Sequence, residues 1–192
     1  IYLDNPHKKK YMNLWHDVSI GKNVPNEFNC IVEISKGSHN KYEIDKETGL
    51  IALDRANYNS APYPFDYAFV PQTLWEDGDA LDVVILSTFP LDTGVLVAVR
   101  PVAIMDMNDS GDSDAKIIAV PVNDKRFEDI QDLSDLNKHT LKEYSHFFET
   151  YKVLKGKNPS DYPVVISGYR GKKEAVEAIL HSQELYKQKF SK

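Results

Sequence analysis

The sequence has one cysteine in 192 residues, which excludes a disulfide within the chain. That residue, Cys30, sits in the apolar run Cys30-Ile31-Val32 and reads as a small buried hydrophobe, in keeping with a reducing compartment. The chain also lacks any apolar stretch of bilayer-spanning length, and no signal-peptide core is visible near its start. These absences lead to the expectation of a cytoplasmic protein with no membrane partner. The first residue is Ile1 rather than Met, which fits an upstream segment outside this sequence. Basic residues are in deficit, 23 Lys and Arg against 29 Asp and Glu, for a formal net charge of −6. Non-specific nucleic-acid binding rests on phosphate neutralisation by Lys and Arg, so this balance argues against it. Small phosphate ligands reached through metals stay possible. Histidines 7, 16, 39, 139, 146 and 181 stand singly and there is no Cys cluster, so no zinc site is expected. Internal repeats and low-complexity tracts are missing too.

The rest of the composition, 42% hydrophobic and 27% charged, is ordinary for one globular domain. Residues 1–27 are polar and punctuated by Pro6, Gly21 and Pro25, and Lys8-Lys9-Lys10 reads as a solvated arm. Phe28 to Ser35 has β character but carries Glu33. Lys41 to Asp45 alternates with period two, placing Lys41, Glu43 and Asp45 on one face. It turns at Lys46-Glu47-Thr48-Gly49 and returns through Leu50 to Arg55. Further strands are expected at Tyr67–Val70, Val83–Ser87, Val95–Met105 with a bend at Pro101, Lys116–Val120, and Val164–Ile166. Helical spacing of Leu133, Leu136, Tyr144, Phe147, Phe148, Tyr151 and Leu154 predicts a helix over about 135–153, with Asp135 in its first turn. A second helix is predicted over Lys172–Phe190, with Val176, Ile179, Tyr186 and Phe190 on one side. Strands first and helices last fit a closed or partly closed antiparallel barrel with helices outside.

The chemistry concentrates in two acidic loops. The first carries Asp77, Asp79 and Asp82 in Trp75-Glu76-Asp77-Gly78-Asp79-Ala80-Leu81-Asp82-Val83; the second carries Asp106, Asp109, Asp112 and Asp114. Carboxylates so close repel unless a cation lies between them, and an all-oxygen donor set selects Mg²⁺, Mn²⁺ or Ca²⁺. A calcium-binding EF-hand loop does not fit, because Leu81 stands where its third ligand belongs. A solvated acidic turn is the ordinary reading of three such charges. Two turns, with Glu33 and Glu43 inside strands, weigh against it. Lys41, Arg55, Tyr63, Tyr67, Lys116, Tyr151 and Lys152 are each ordinary surface, rim or core residues taken singly. Together they suit a polyanion held between metals and basic side chains.

The segments Val32-Glu33-Ile34, Asn40 to Lys46, Leu53-Asp54-Arg55, Tyr63 to Tyr67, Asp77 to Val83, Asp109 to Lys116 and His146 to Lys152 occur in an order that resembles the soluble, Mg²⁺-dependent family I inorganic pyrophosphatases. The resemblance covers residues 13–192 as a single domain and leaves 1–12 as an N-terminal extension. It implies a mainly β (α+β) fold: a five-stranded OB-like closed β-barrel with two helices from the C-terminal region packed outside. It implies hydrolysis of pyrophosphate to two orthophosphates by hydroxide that several Mg²⁺ activate, three to four per site, with Mn²⁺ a substitute and Asp79 the general base. By the same resemblance Asp77, Asp82 and Asp114 hold a first metal and Asp82 bridges to a second. Asp109 and Asp114 hold a third, and Glu33 a fourth largely through water. Lys41 and Tyr67 hold the electrophilic phosphate; Arg55, Tyr151 and Lys152 hold the leaving one. Glu43, Tyr63 and Lys116 support the cavity. A homohexamer is implied, with the first long helix and its His146 packing between subunits. Ala80, Ser35 and Ala68 depart from the family's common Pro, Pro and Gly, and residues 158–162 look inserted.

A competing expectation is an OB-like module that grips single-stranded nucleic acid by stacking bases on Tyr63, Phe65, Tyr67 and Phe69. The negative charge and the carboxylates on the expected face count against it.

Overall fold

The computed structural model describes residues 12–190. The Lys8-Lys9-Lys10 arm, His7 and the expected extension, Met12 apart, lie outside the described residues. Nine strands and two α-helices follow in order: β1 (Phe28–Ile34), β2 (Asn40–Ile44), β3 (Ile51–Ala56), β4 (Asp66–Phe69), β5 (Asp82–Ile85), β6 (Leu96–Asp109), β7 (Asp112–Ser113), β8 (Lys116–Pro121), α1 (Lys138–Thr150), β9 (Val164–Gly171) and α2 (Lys172–Phe190).

Five strands close on themselves in the order β1-β4-β5-β8-β6, and β6 pairs back onto β1. This ring is the expected barrel, with one difference. The β5–β8 pair is parallel, Asp82 opposite Lys116, while the other four pairs are antiparallel. Strand alternation sorts the core. Val83, Ile85, Ile117 and Ala119 face one buried cluster that α2 covers, and Val84, Ile118 and Val120 face another that α1 covers. Their β-branched and aromatic neighbours fit a pleated surface buried on both faces. Tyr63, Phe65 and Phe69 are wholly buried and Tyr67 nearly so, so none of the four aromatics offers an open stacking platform.

Two departures from regular pairing place site residues. Val32 pairs Ala68 and Ile34 pairs Tyr67, so Glu33 is an extra residue on β1, a bulge. Such a bulge re-aims a side chain, and Glu33 is turned inward and buried. The β2–β3 hairpin forms its own two-stranded sheet beside the ring and turns through Gly49 at φ +71°.

The second acidic loop is shorter than expected. β6 runs fourteen residues, so Asp106 and Asp109 are strand residues, and only the turn at Ser110-Gly111 separates them from Asp112. The bend at Pro101 is a register shift within one strand. The last strand is longer than Val164–Ile166. β9 continues to Gly171 along β6 and lies between the two helices, so the order is not strands first and helices last. Helix α1 starts at Lys138, capped by Asn137, because Leu136 is extended at ψ 142°. Asp135 instead closes a capping box with Asp132 on a separate 3₁₀ turn, Leu133–Asp135, and Leu154 is exposed beyond the helix. Along α2 the buried face is Ala175, Ala178, Ile179 and Ser182, so Ile179 alone of the expected set is fully buried.

Candidate active site

The acidic turn is built from its base outward. Trp75 N–H donates to the Asp79 carbonyl at 2.7 Å, Gly78 N–H donates to the Trp75 carbonyl at 3.0 Å, and Gly78 takes φ +88°. Asp79 N–H donates to Asp77 Oδ1 at 3.0 Å. The turn opens onto a cavity of about 280 Å³. Into the same cavity come Glu33 from the β1 bulge, Lys41 and Glu43 from the hairpin, Tyr63, Tyr67 from β4, Asp82 from β5, Asp109 from β6, Asp114 and Lys116 from around the start of β8, and Tyr151 and Lys152 from the end of α1. These elements lie far apart in sequence, and ring closure unites them. Arg55 is the exception among the expected residues. It stands opposite Lys41 in the hairpin, pairs with Asp54, lies 5.1 Å from the Tyr58 ring centre, and has a buried Nε without a protein partner. It is beside the cavity rather than on its wall.

Seven carboxylates and four lysines line the cavity, so its walls carry excess negative charge. Lys116 is the central counter-ion. It is 2% exposed and donates to Asp82 Oδ2 at 2.6 Å and also to Asp114. Burial alone would lower its pKa, but Asp114 and Asp82 outweigh burial and hold it above the ordinary lysine value. Tyr67 donates its hydroxyl to Asp82. Burial, then the charges of Asp82 and Asp114, push that phenol far up, so it stays a donor. Burial likewise raises Tyr151, with Asp109 adding, and raises Tyr63. Lys152 pairs with Asp109, and Lys41 pairs with Glu43 and lies 3.5 Å from Asp54.

The acids show the strain of this crowding. Burial pushes Asp114 up to about 7 against the pull of Lys116, with Asp82 adding. Asp77 is raised by burial, tempered by the Asp79 N–H. Glu33 is raised well above the usual carboxyl range by burial and by Asp82, although Ile44 N–H donates to its Oε1 at 2.7 Å. Carboxylates whose charged form is disfavoured in this way are stabilised by a nearby cation. Among the described residues, no three His, Cys, Asp or Glu side chains form a ready-made metal shell. Asp82 and Asp114 are turned onto Lys116. The donors are nonetheless all oxygen, which fits hard divalent cations that keep several waters.

Three cavity or near-cavity residues escape the sequence reading. Lys46 pairs with Asp79, Asp54 pairs with Lys41 and Arg55, and Trp15 lines the wall. Period-two alternation points Lys46 away from Lys41, but the alternation ends where the hairpin turns. Asp45, expected to share the face of Lys41 and Glu43, instead accepts from Thr48 N–H and the Thr48 hydroxyl, both at 2.6 Å.

The sequence profile described as inorganic pyrophosphatase matches residues 30–187. The inorganic pyrophosphatase of Haloferax volcanii is 44% identical over 184 residues, covering 94% of this chain and 99% of that one. The chain belongs to the inorganic pyrophosphatase family. Soluble inorganic pyrophosphatase 1 of Arabidopsis thaliana is 44% identical over 172 residues, covering 90% of this chain and 79% of that one. The crystal structure of inorganic pyrophosphatase from Thermus thermophilus superposes with a TM-score of 0.87 at 41% identity, covering 92% of this chain and 99% of that one. Family I pyrophosphatases are in general metal-dependent, in keeping with the carboxylate excess around the acidic turn.

Proposed function

We propose a division of labour for the hydrolysis of inorganic pyrophosphate, the reaction this chain catalyses as a pyrophosphatase. Asp77, Asp82, Asp109, Asp114 and Glu33 hold three to four Mg²⁺, with Mn²⁺ an acceptable substitute. When bound, such cations neutralise phosphate oxygens and acidify water. Asp79, half-exposed at the mouth of the turn and not committed to Lys116, takes the proton from the attacking water. Lys41 and the protonated Tyr67 hold the phosphate under attack. Lys152, Tyr151 and Arg55 spread the charge of the departing phosphate, so positioning and electrostatics carry most of the rate. Glu43, Tyr63 and Lys116 keep the walls in place. The single observation that carries this reading is the convergence of seven carboxylates and four lysines on one cavity.

Residues 13–192 act as one domain, in a cytoplasmic homohexamer in which the exposed face of α1, including His146, meets a second subunit. No helix among the described residues is long and apolar enough to cross a membrane. Phosphate release from pyrophosphate with Mg²⁺, repeated with Asp79→Asn, tests the site. The variant is expected to lose on the order of 10²- to 10⁴-fold in kcat. Full activity in the variant overturns Asp79 as the base, and no release from the wild type overturns the mechanism. Sedimentation at a monomer mass refutes the hexamer.

A further inference from the structure

The segment 13–16, which no part of the proposed chemistry uses, touches the acidic turn, the hairpin and α2 at once. Trp15 is 3% exposed and lies against Ile31, Phe69, Leu74 and Ala80. Its indole N–H donates to the Thr73 carbonyl at 2.7 Å. Thr73 is itself buried, and its hydroxyl accepts from Leu81 N–H at 3.0 Å, which closes the base of the acidic turn. The Trp15 carbonyl accepts from Gln72 N–H at 2.8 Å. Gln72 has φ +56°, a left-handed conformation that a non-glycine residue keeps only where its surroundings hold it. The Gln72 side chain adds a bond to the His16 carbonyl at 3.3 Å. On its other side the segment meets the hairpin: Leu14 N–H donates to the Gly49 carbonyl at 3.3 Å, and a Cβ on Gly49 would come within 2.5 Å of Asn13 Cα. Behind it, His16 stacks on Trp15 at 4.7 Å between ring centres and binds the Tyr186 hydroxyl of α2 at 2.7 Å.

The entry to the acidic turn is therefore fixed by Trp15 of the same short segment whose Asn13 and Leu14 adjoin the hairpin carrying Lys41, Glu43 and Lys46. Ala80 supplies little side chain of its own to stiffen that turn, and it shares one buried cluster with the indole of Trp15. We propose that Trp15 is a positioning residue: it sets the backbone of Asp77 and Asp79, and their distance from the hairpin, through Thr73, Gln72 and Ala80. This rests on the acidic turn being the catalytic metal turn of a pyrophosphatase. Groups that orient metal ligands from behind are commonly worth about 10- to 100-fold in metal affinity or activity, and small misplacements of a reacting group cost as much.

The test compares Trp15→Phe with Phe28→Leu, a buried change in β1 that lies outside the Trp15 cluster and off the cavity wall, each assayed well below its own melting temperature. Mn²⁺ binding is followed by calorimetry without substrate, and kcat and KM are measured with pyrophosphate and Mg²⁺. Trp15→Phe keeps a ring but loses the bond to Thr73. It is expected to weaken Mn²⁺ binding and lower kcat, each on the order of tenfold, with KM changed far less, while Phe28→Leu keeps wild-type values. Gln72→Gly gives an independent arm, because it frees the left-handed backbone and removes the side-chain bond to the His16 carbonyl while leaving the Trp15 indole and its bond to Thr73 in place, and it is expected to weaken Mn²⁺ binding in the same direction. Wild-type Mn²⁺ affinity and kcat in Trp15→Phe, or equal losses in Phe28→Leu, overturn the proposal. A wild-type protein that binds Mn²⁺ but releases no phosphate overturns the pyrophosphatase mechanism instead, and the Mn²⁺ comparison still decides the role of Trp15.

Discussion

Lys116 Nζ lies 2.6 Å from Asp82 Oδ2 across the one parallel strand pair of the ring, and its other partner is Asp114. The pairing follows from register: Asp82 opens β5, Lys116 opens β8, and parallel alignment puts the two first residues side by side. A single buried ammonium thus serves two carboxylates of the acidic wall. Removing it leaves those charges facing each other. Lys116→Met in chelator is expected to lose about 2–4 kcal/mol of stability, at the low side of the range for broken buried pairs because Asp82 and Asp114 keep 20% and 15% exposure. Urea denaturation measures this. Added Mg²⁺ should restore more stability to the variant than to the wild type, since cations then replace the missing ammonium.

Asp135 gives the acid limb of stability a local origin. Its Oδ2 accepts from Gln131 N–H at 2.9 Å and Asp132 N–H at 3.0 Å, and these bonds hold its carboxyl below the usual 3.8. A carboxyl depressed on folding adds stability above its unfolded value, and that stability is lost as pH falls through the folded value. Asp135→Asn should therefore melt lower than the wild type at neutral pH, and the difference should vanish once both are in strong acid. A melting-temperature profile over pH checks this. A gap that persists in acid shows that the loss is not one of charge.

Cys30 is wholly buried, its thiol is directed at the Val97 carbonyl at 3.6 Å, and burial pushes its pKa well up. Reaction with a thiol reagent needs the thiolate and access. Labelling of the native protein at mildly alkaline pH is expected to follow the global unfolding rate, and to become immediate in denaturant. Rapid labelling of the native state would contradict the packing of β1.

The legible and illegible parts of this chain differ for physical reasons. Period-two alternation and turn glycines act locally, so β1, the β2–β3 hairpin and β8 lie where the pattern puts them. The second half of β9, Gly168-Tyr169-Arg170-Gly171, has no apolar run to announce it and is a strand because β6 is long enough to pair with it. Asp135 has the composition of a helix start, yet the extended Leu136 separates it from α1. The site residues are legible only through motif resemblance. The cavity gathers all of them except Arg55, which a hairpin pairing holds just off the wall. Lys46 and Trp15 were unreadable because their roles arise from contacts across the fold, to Asp79 in one case and to Gln72 and Thr73 in the other.

The role proposed for the Asp77–Asp82 turn is to bind divalent cations so that hydrolysis happens there. Its most direct measurement is phosphate release from pyrophosphate by the purified protein, with Mg²⁺ and then with excess chelator, for the wild type and for Asp77→Asn. That role predicts turnover by the wild type that the chelator abolishes, and a loss on the order of 10²-fold or more in the variant at fixed Mg²⁺. Turnover that survives the chelator, or an Asp77→Asn protein as active as the wild type, contradicts it.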